Sequence, residues 1–340
     1  MTSICAPNHQ VKQAPNVDAY GRTVDYLRLA VTDRCNLRCI YCMPPEGIPK
    51  LAHEDILSYE ELLRIVRIVR SLGISKIRIT GGEPLVRKGI ISFVHRLVDV
   101  VTPGEVTMTT NGVLLADYAA DLFNAGIRRI NISLDTLRAD RFSMITRTDA
   151  FGDVMKGIEK AMQVGFRPVK LNTVVMKGIN DDEVEDLARL TLKEPVHVRF
   201  IEFMPFGDRE WEDKFISADE IISRLAEVGE LEPTISLNNN GPAKYMRFRG
   251  AVGKIGIISP MSHHSCDSCN RLRLTPEGKL RTCLFATEEI DVSRFLRSSA
   301  SDGEIARILV DALKKKPKHR ALDTEVLRKC ITRPMSAIGG

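Results

Sequence analysis

Cys35, Cys39 and Cys42 fall within eight residues in the pattern C-x3-C-x2-C. Sulfurs at this spacing reach a common point if the loop wraps around it, which is the behaviour of metal or cluster ligands. No further cysteine follows until Cys266. A four-iron cluster held by three thiolates keeps one iron open to bind and reduce a ligand, as a catalytic zinc keeps one coordination position free. A zinc knuckle or a group of reactive thiols is the other reading of the same residues.

A second set, Cys266, Cys269 and Cys283, is spaced C-x2-C-x13-C, with His263 and His264 just upstream. Alone it suits a structural zinc with one of those histidines as fourth ligand. Beside a first cluster with an open iron, it equally suits a second cluster whose open iron faces a substrate. Arg271 and Arg273 follow at once, and in an extended segment they point to the same side. Guanidinium forks grip phosphate through paired hydrogen bonds. The chain has neither G-x4-G-K-[ST] nor G-x-G-x-x-G, so a polyphosphate would rest on side chains. The candidates are Arg28, Arg78, Lys170, Arg271 and Arg273; taken singly, each also reads as a solvated charge.

These residues need a scaffold, and the hydrophobic pattern predicts one. Strands are expected at 26–31, 76–80, 106–109, 129–133, 169–175 and 196–203. Helices are expected at 58–73, 90–100, 117–125, 151–164 and 182–192. Ser58 and Glu61 form a capping box that opens the first helix. The result is six strand–helix cycles of about thirty residues, the spacing of parallel βαβ units. Such units build an open three-quarter barrel or a doubly wound sheet. The cysteine loop, Gly81-Gly-Glu-Pro84, Thr109-Thr-Asn-Gly112, Ser133-Leu-Asp135 and Glu202-Phe-Met-Pro205 each follow a strand. Parallel α/β folds place active sites at those carboxyl ends. Beyond about residue 210 the alternation fades into a helix at 217–228, a turn at 238–242 and a strand at 254–259. Three regions follow: a flexible leader at 1–20, a barrel at 21–210 and a closing region at 211–340.

Composition narrows the class. The chain has 340 residues, 44% hydrophobic and 27% charged, with 49 Lys and Arg against 44 Asp and Glu for a net charge of +5. That mild excess fits an anionic ligand without requiring nucleic acid or a membrane surface. No apolar run is long enough to span a bilayer, and the polar amino terminus lacks the apolar core of a secretion signal. A cytoplasmic location is expected, where eight cysteines argue for metal binding or catalysis rather than a disulfide framework. Cys5 and Cys330 carry no assigned role.

The first triplet, with Tyr41 before its last cysteine, resembles the signature of radical S-adenosylmethionine (SAM) enzymes. Together with Gly81-Gly-Glu-Pro84, the second triplet with its Asn-Arg-Leu-Arg, and the terminal Gly339-Gly340, the chain resembles the GTP 3',8-cyclase family. That family performs the first step of molybdenum cofactor biosynthesis. The resemblance runs from Gly21 to Gly340. It implies a partial (β/α)6 barrel of the triosephosphate-isomerase type with a C-terminal extension carrying a second iron–sulfur cluster. Cys35, Cys39 and Cys42 would hold one [4Fe-4S] cluster, and Cys266, Cys269 and Cys283 another. Tyr41, Gly82, Ser133 and Met204 would line the SAM site. Arg28, Arg78, Thr109, Lys170, Arg271 and Arg273 would meet GTP, and Gly339 and Gly340 would enter the active site. A 5'-deoxyadenosyl radical would remove the 3' hydrogen of GTP, the ribose carbon would attack C8 of guanine, and reduction would give 3',8-cyclo-7,8-dihydro-GTP. An electron donor of the flavodoxin or ferredoxin type and a downstream cyclic pyranopterin monophosphate synthase are the implied partners; a homodimer is left open. The alternatives are a peptide-modifying radical SAM enzyme with an auxiliary cluster and a zinc-binding protein that interacts with nucleic acid. The arginine pair and the mild net charge argue against each in turn.

Overall fold

The computed structural model describes residues 15–206, 210–234, 241–320, 326 and 335–338. Cys5, Cys330, Gly339 and Gly340, and most of the expected leader, lie outside the described residues.

Six strands alternate with helices in the first two thirds of the chain: β1 (Tyr26–Ala30), α1 (Tyr59–Ser71), β2 (Lys76–Thr80), α2 (Ile90–Val101), β3 (Glu105–Thr110), α3 (Leu115–Asn124), β4 (Ile130–Ser133), α4 (Ala139–Thr146), α5 (Phe151–Val164), β5 (Val169–Val175), α6 (Val184–Lys193) and β6 (Val196–Glu202). The expected capping box is present. Ser58 Oγ accepts from the Glu61 amide at 3.1 Å, while the Glu61 carboxylate accepts from the Ser58 amide at 2.6 Å. Behind this cap, α1 buries Leu62, Leu63, Ile65, Val66, Ile68 and Val69. Each such side chain contributes about 1.5–3 kcal/mol of burial free energy, so the apolar stripe fixes the helix against the sheet. Helix α4 was not anticipated, because its segment, ADRFSMIT, buries only Phe142, Ile145 and Thr146.

The remaining elements are α7 (Ala218–Val228), β7 (Leu231–Pro233), β8 (Lys244–Phe248), β9 (Lys254–Ile258), β10 (Arg271–Leu274), β11 (Lys279–Arg281), β12 (Ile290–Asp291), α8 (Ser293–Leu296) and α9 (Asp302–Lys314). All strands join one open sheet in the order β12-β11-β10-β1-β2-β3-β4-β5-β6-β9-β8-β7. The six expected strands run parallel in sequence order, and the sheet does not close into a complete barrel, as the count of six units requires. What periodicity did not show is where the C-terminal strands go. Strand β10 pairs parallel to β1 and β9 parallel to β6, so the closing region extends the sheet at both ends.

Part of the stretch expected as leader is tied to the fold. Asn16 and Asp18 are buried, Val17 bridges to Thr23, and Asp18 holds the buried Arg22 through a 2.5 Å ion pair.

Candidate active site

The cysteine loop begins where β1 ends and is seated on two neighbours. Gly81 and Gly82, just after β2, let backbone meet backbone. A Cβ on Gly82 would lie 2.2 Å from the Arg34 carbonyl oxygen, and one on Gly81 2.6 Å from that of Thr32. Their absence permits hydrogen bonds from the Gly82 amide to Thr32 at 2.7 Å and from the Glu83 amide to Arg34 at 2.8 Å. The buried Glu83 carboxylate then accepts from the Leu85 amide at 3.0 Å, the Thr110 hydroxyl at 2.8 Å and the Asn111 amide at 2.6 Å. Asn111 in turn donates to Asn36 at 2.7 Å and stands 3.7 Å from Cys35 Sγ. The other seat is the end of α4. The amides of Arg38 and Ile40 donate to Thr146 and Ile145, and the Arg147 guanidinium caps the Arg38 and Met43 carbonyls.

Inside this loop the thiols face one another, with the Glu83 and Asp135 carboxylates nearby. Cys35 receives the Leu37 amide at 3.4 Å. Burial pushes all three thiols up: Cys42 to about 12, and Cys39 well above its ordinary value, with Cys42 and Asp135 adding to the effect. Three crowded thiolates would be compensated by a bound cationic metal, so this donor set fits an iron–sulfur cluster. Beside them Tyr41 donates to Asp135 at 2.7 Å, and burial raises the Asp135 carboxyl to about 6.

The sheet interior is cationic. Parallel register aligns Arg273, Arg28 and Arg78 across β10, β1 and β2, and Asn131, Lys170 and His197 across β4, β5 and β6. Below the arginine row Tyr26 lies level with Arg271 and Lys76. Burial alone would raise the Tyr26 phenol, but Arg78, Arg28, Lys76 and Arg271 hold it at about 8. Arg78 donates to Tyr26 through Nε and to Thr109 at 3.4 Å. Burial, reinforced by Arg199 and Arg78, lowers Lys170 to about 7; burial and Lys170 lower His197 to about 3. Arg199 Nε, His197 Nδ1 and Asn172 Oδ1 are buried with no hydrogen-bond partner among the described residues. Gly256 on β9 makes room for Arg199, since a Cβ there would meet its Cγ at 2.8 Å. Buried cations crowded on one sheet face, with an orphaned Arg199 Nε among them, are the makings of a polyanion site.

At the sheet's other end, the antiparallel pairing of Arg273 with Arg281 draws the Cys266–Cys269 turn and Cys283 together. Burial would raise the Cys269 thiol, yet Arg271 and Lys316 bring it down to about 7. Thiolate character at this pH suits iron or zinc alike. His263 points to the Asp219 carboxylate at 2.8 Å, whereas His264, Cys266 and His319 have ligand atoms within 4.8 Å of one another. Of the two histidines considered as zinc ligands, then, only His264 stands beside a cysteine.

One cavity of about 590 Å³ unites these parts. Its wall includes every described candidate: Arg28, Cys35, Cys39, Tyr41, Cys42, Arg78, Gly82, Thr109, Ser133, Lys170, Met204, Cys266, Cys269, Arg271, Arg273 and Cys283. Ten Arg and Lys side chains line it against two carboxylates, Glu83 and Asp135. Ser336, near the tail, also lines it and donates to the Cys42 carbonyl at 3.5 Å; Gly339 and Gly340 lie outside the described residues. Tyr26, Lys76, His197 and Arg199 were not singled out from the sequence, and Asp135 only within its Ser-Leu-Asp turn. A signal for some existed: Lys76-Ile-Arg78 and His197-Val-Arg199 put two basic residues on one strand face.

Comparison with known proteins agrees with this geometry. Residues 29–191 match the Radical SAM superfamily and residues 196–322 match Molybdenum Cofactor Synthesis C. A GTP 3',8-cyclase of Thermodesulfovibrio yellowstonii is 52% identical over 326 residues, covering 95% of this chain and 99% of the relative. One of Heliobacterium modesticaldum is 50% identical over 311 residues, covering 90% and 95%. Among solved structures, Streptococcus suis SuiB bound to S-adenosylmethionine superimposes with a TM-score of 0.59 at 12% identity, over 94% of this chain and 76% of SuiB, a likeness of fold. The cysteine loop, the cationic parallel sheet and these relatives together establish that the chain belongs to the GTP 3',8-cyclase family of the radical SAM superfamily.

Proposed function

We propose that the chain converts GTP to (8S)-3',8-cyclo-7,8-dihydroguanosine 5'-triphosphate, the first step of molybdenum cofactor biosynthesis. The observation that carries this reading is the single cavity in which two cysteine triplets flank a cationic sheet. Cys35, Cys39 and Cys42 hold the cluster that binds SAM, with Tyr41, Gly82, Ser133 and Met204 around the SAM molecule. When bound, this pair supplies a one-electron route to breaking a ribose C–H bond. Cys266, Cys269 and Cys283 hold a second [4Fe-4S] cluster against the guanine. Arg28, Arg78, Lys170, Arg271 and Arg273 neutralise the triphosphate, while Thr109 fixes the nucleotide and Arg199 adds a further cation. Their work is to hold the ribose 3' position toward the first triplet and guanine toward the second, excluding water. Ser336 lines the cavity, and the role given to Gly339 and Gly340 falls on residues outside the described ones. A barrel at 21–210 and a closing region at 211–340 describe the division of labour. A flavodoxin or ferredoxin supplies electrons in the cytoplasm, a cyclic pyranopterin monophosphate synthase takes the product, and a homodimer is compatible with this arrangement.

The test is iron and sulfide content after anaerobic reconstitution, for the wild type and for C266A/C269A/C283A, followed by SAM, dithionite and GTP. About eight irons falling to about four, with GTP-dependent 5'-deoxyadenosine formed by the wild type, is the expected result. Zinc at the second site, for which His264 and His319 beside Cys266 provide ligands, would overturn the two-cluster assignment. Deoxyadenosine yield indifferent to GTP would overturn the substrate.

A further inference from the structure

Lys316 follows α9 and lies outside the cavity wall, yet only 2% of it is exposed. Its Nζ stands 3.4 Å from Cys269 Sγ, 2.9 Å from the Arg271 carbonyl oxygen and 2.6 Å from that of Thr282. Three acceptors require three N–H groups, which an ammonium has and a neutral amine lacks. The two carbonyls satisfy hydrogen bonds but cannot balance a charge; the sulfur can. Among the described residues, no carboxylate pairs with Lys316. A buried cation is costly unless an anion compensates it, and here that anion is a ligand thiolate.

The placement is braced. Arg22, held by Asp18, donates to the Cys266 carbonyl at 2.7 Å, to Lys318 at 2.9 Å and to Pro317 at 2.7 Å. The segment carrying Lys316 is thereby pinned to the loop carrying Cys266. Since Arg271 precedes Arg273 on β10 and Thr282 precedes Cys283, the ammonium also ties together both cysteine-bearing stretches.

From this geometry we propose that Lys316 is the positioning residue that sets the reduction potential of the C-terminal cluster, by fixing one positive charge against Cys269. The inference rests on reading the second triplet as a cluster site. Adding an electron makes a thiolate-bound cluster more negative, and a fixed neighbouring cation favours that reduced state. Loss of the charge therefore drives the potential down. Because Lys316 does not line the cavity, its replacement removes no side chain from the cavity wall, whereas a change at Arg271 would.

The experiment uses the anaerobically reconstituted full chain carrying C35A/C39A/C42A, so that only the second cluster responds. Metal analysis of this parent comes first: zinc in place of iron removes the cluster assignment and the proposal with it, before any Lys316 variant is read. With iron present, a redox titration followed by electron paramagnetic resonance compares Lys316→Met and Lys316→Arg with the parent. A more negative midpoint in the Met variant, with the parent value restored by Arg, is expected. An unchanged midpoint in a fully loaded Met variant overturns the proposal. If the Met variant loads poorly, loading rescued by Arg but not by Lys316→Gln supports a need for charge, and equal failure of all three overturns it.

Discussion

The two cysteine triplets offer the same three sulfurs in opposite surroundings. Around Cys35, Cys39 and Cys42 the near partners are a backbone amide and an asparagine, with the Glu83 and Asp135 carboxylates close by. Around Cys269 stand Lys316 and Arg271. Ligand sulfur sets cluster type, whereas net charge and hydrogen bonds to sulfur set potential. The contrast therefore separates tasks. The N-terminal site disfavours added negative charge, which suits a strongly reducing centre. On the proposed reading of the second triplet as a cluster, the C-terminal site tolerates it, which suits a centre that binds substrate.

The largest way to break this comparison is to remove one ligand from each side. Cys39→Ala should abolish 5'-deoxyadenosine formation to background, while Cys269→Ala should still cleave SAM but yield no cyclised nucleotide. Chromatography of both products from one reaction decides it. If Cys39→Ala retained SAM cleavage, the sites would have been assigned the wrong way round.

A smaller effect should follow from Glu83→Ala. The Leu85 amide, Thr110 hydroxyl and Asn111 amide would lose their shared acceptor; a buried unsatisfied group costs about 1–3 kcal/mol. The Asn111 loop beside Cys35 would drift, so iron at the first triplet should fall while iron at the second holds. Measuring iron in this variant on either triple-alanine background distinguishes a local effect from general unfolding. Loss at both sites would make Glu83 a prop for the whole sheet.

The limits of legibility follow the same division. The six parallel strands could be read because each pairs with a neighbour in sequence and carries its own apolar pattern. The first cysteine loop could be read because its ligands are seven residues apart at most. The second site was half legible: Cys266, Cys269, Arg271 and Arg273 are local, but Lys316 and Arg22 reach it from distant segments. Likewise β10 contains only four residues, RLRL, and its place beside β1 depends on long-range pairing that no local pattern encodes. Arg199 and His197 were overlooked because a basic residue in a strand reads equally as a solvated charge until the sheet's concave side is known.

Next in size is Arg273→Met. Arg273 is buried, and burial together with Arg28 and Arg271 holds its guanidinium well below the ordinary value. A hydrogen bond to a charged partner contributes about 1.5–3 kcal/mol, so GTP affinity should fall on the order of 10- to 100-fold. SAM affinity should be unchanged, because Arg273 is carried by β10, the strand that follows the second triplet. Calorimetric titration of each ligand separates the two; equal losses would show that the sheet interior serves both.

The mildest expected effect is a pH dependence of GTP binding. Burial and the neighbouring Arg199 and Arg78 place Lys170 at about 7 in the free protein, far below its ordinary 10.5. A bound triphosphate favours the ammonium and raises that value. Below pH 7 the lysine is already protonated and makes no pH-dependent difference. Above it, binding must take up a proton, so affinity falls by up to about tenfold per pH unit until the raised value of the complex is reached. Tyr26, held at about 8, steepens the decline as its phenol ionises among the same cations. The Tyr26→Phe background therefore isolates the lysine. On it, Lys170→Met should bind more weakly than its parent at pH 7 and converge with it at high pH. Parallel curves from pH 7 to 9 would mean that Lys170 keeps a fixed charge, and that the cationic sheet is held together more cheaply than its burial implies.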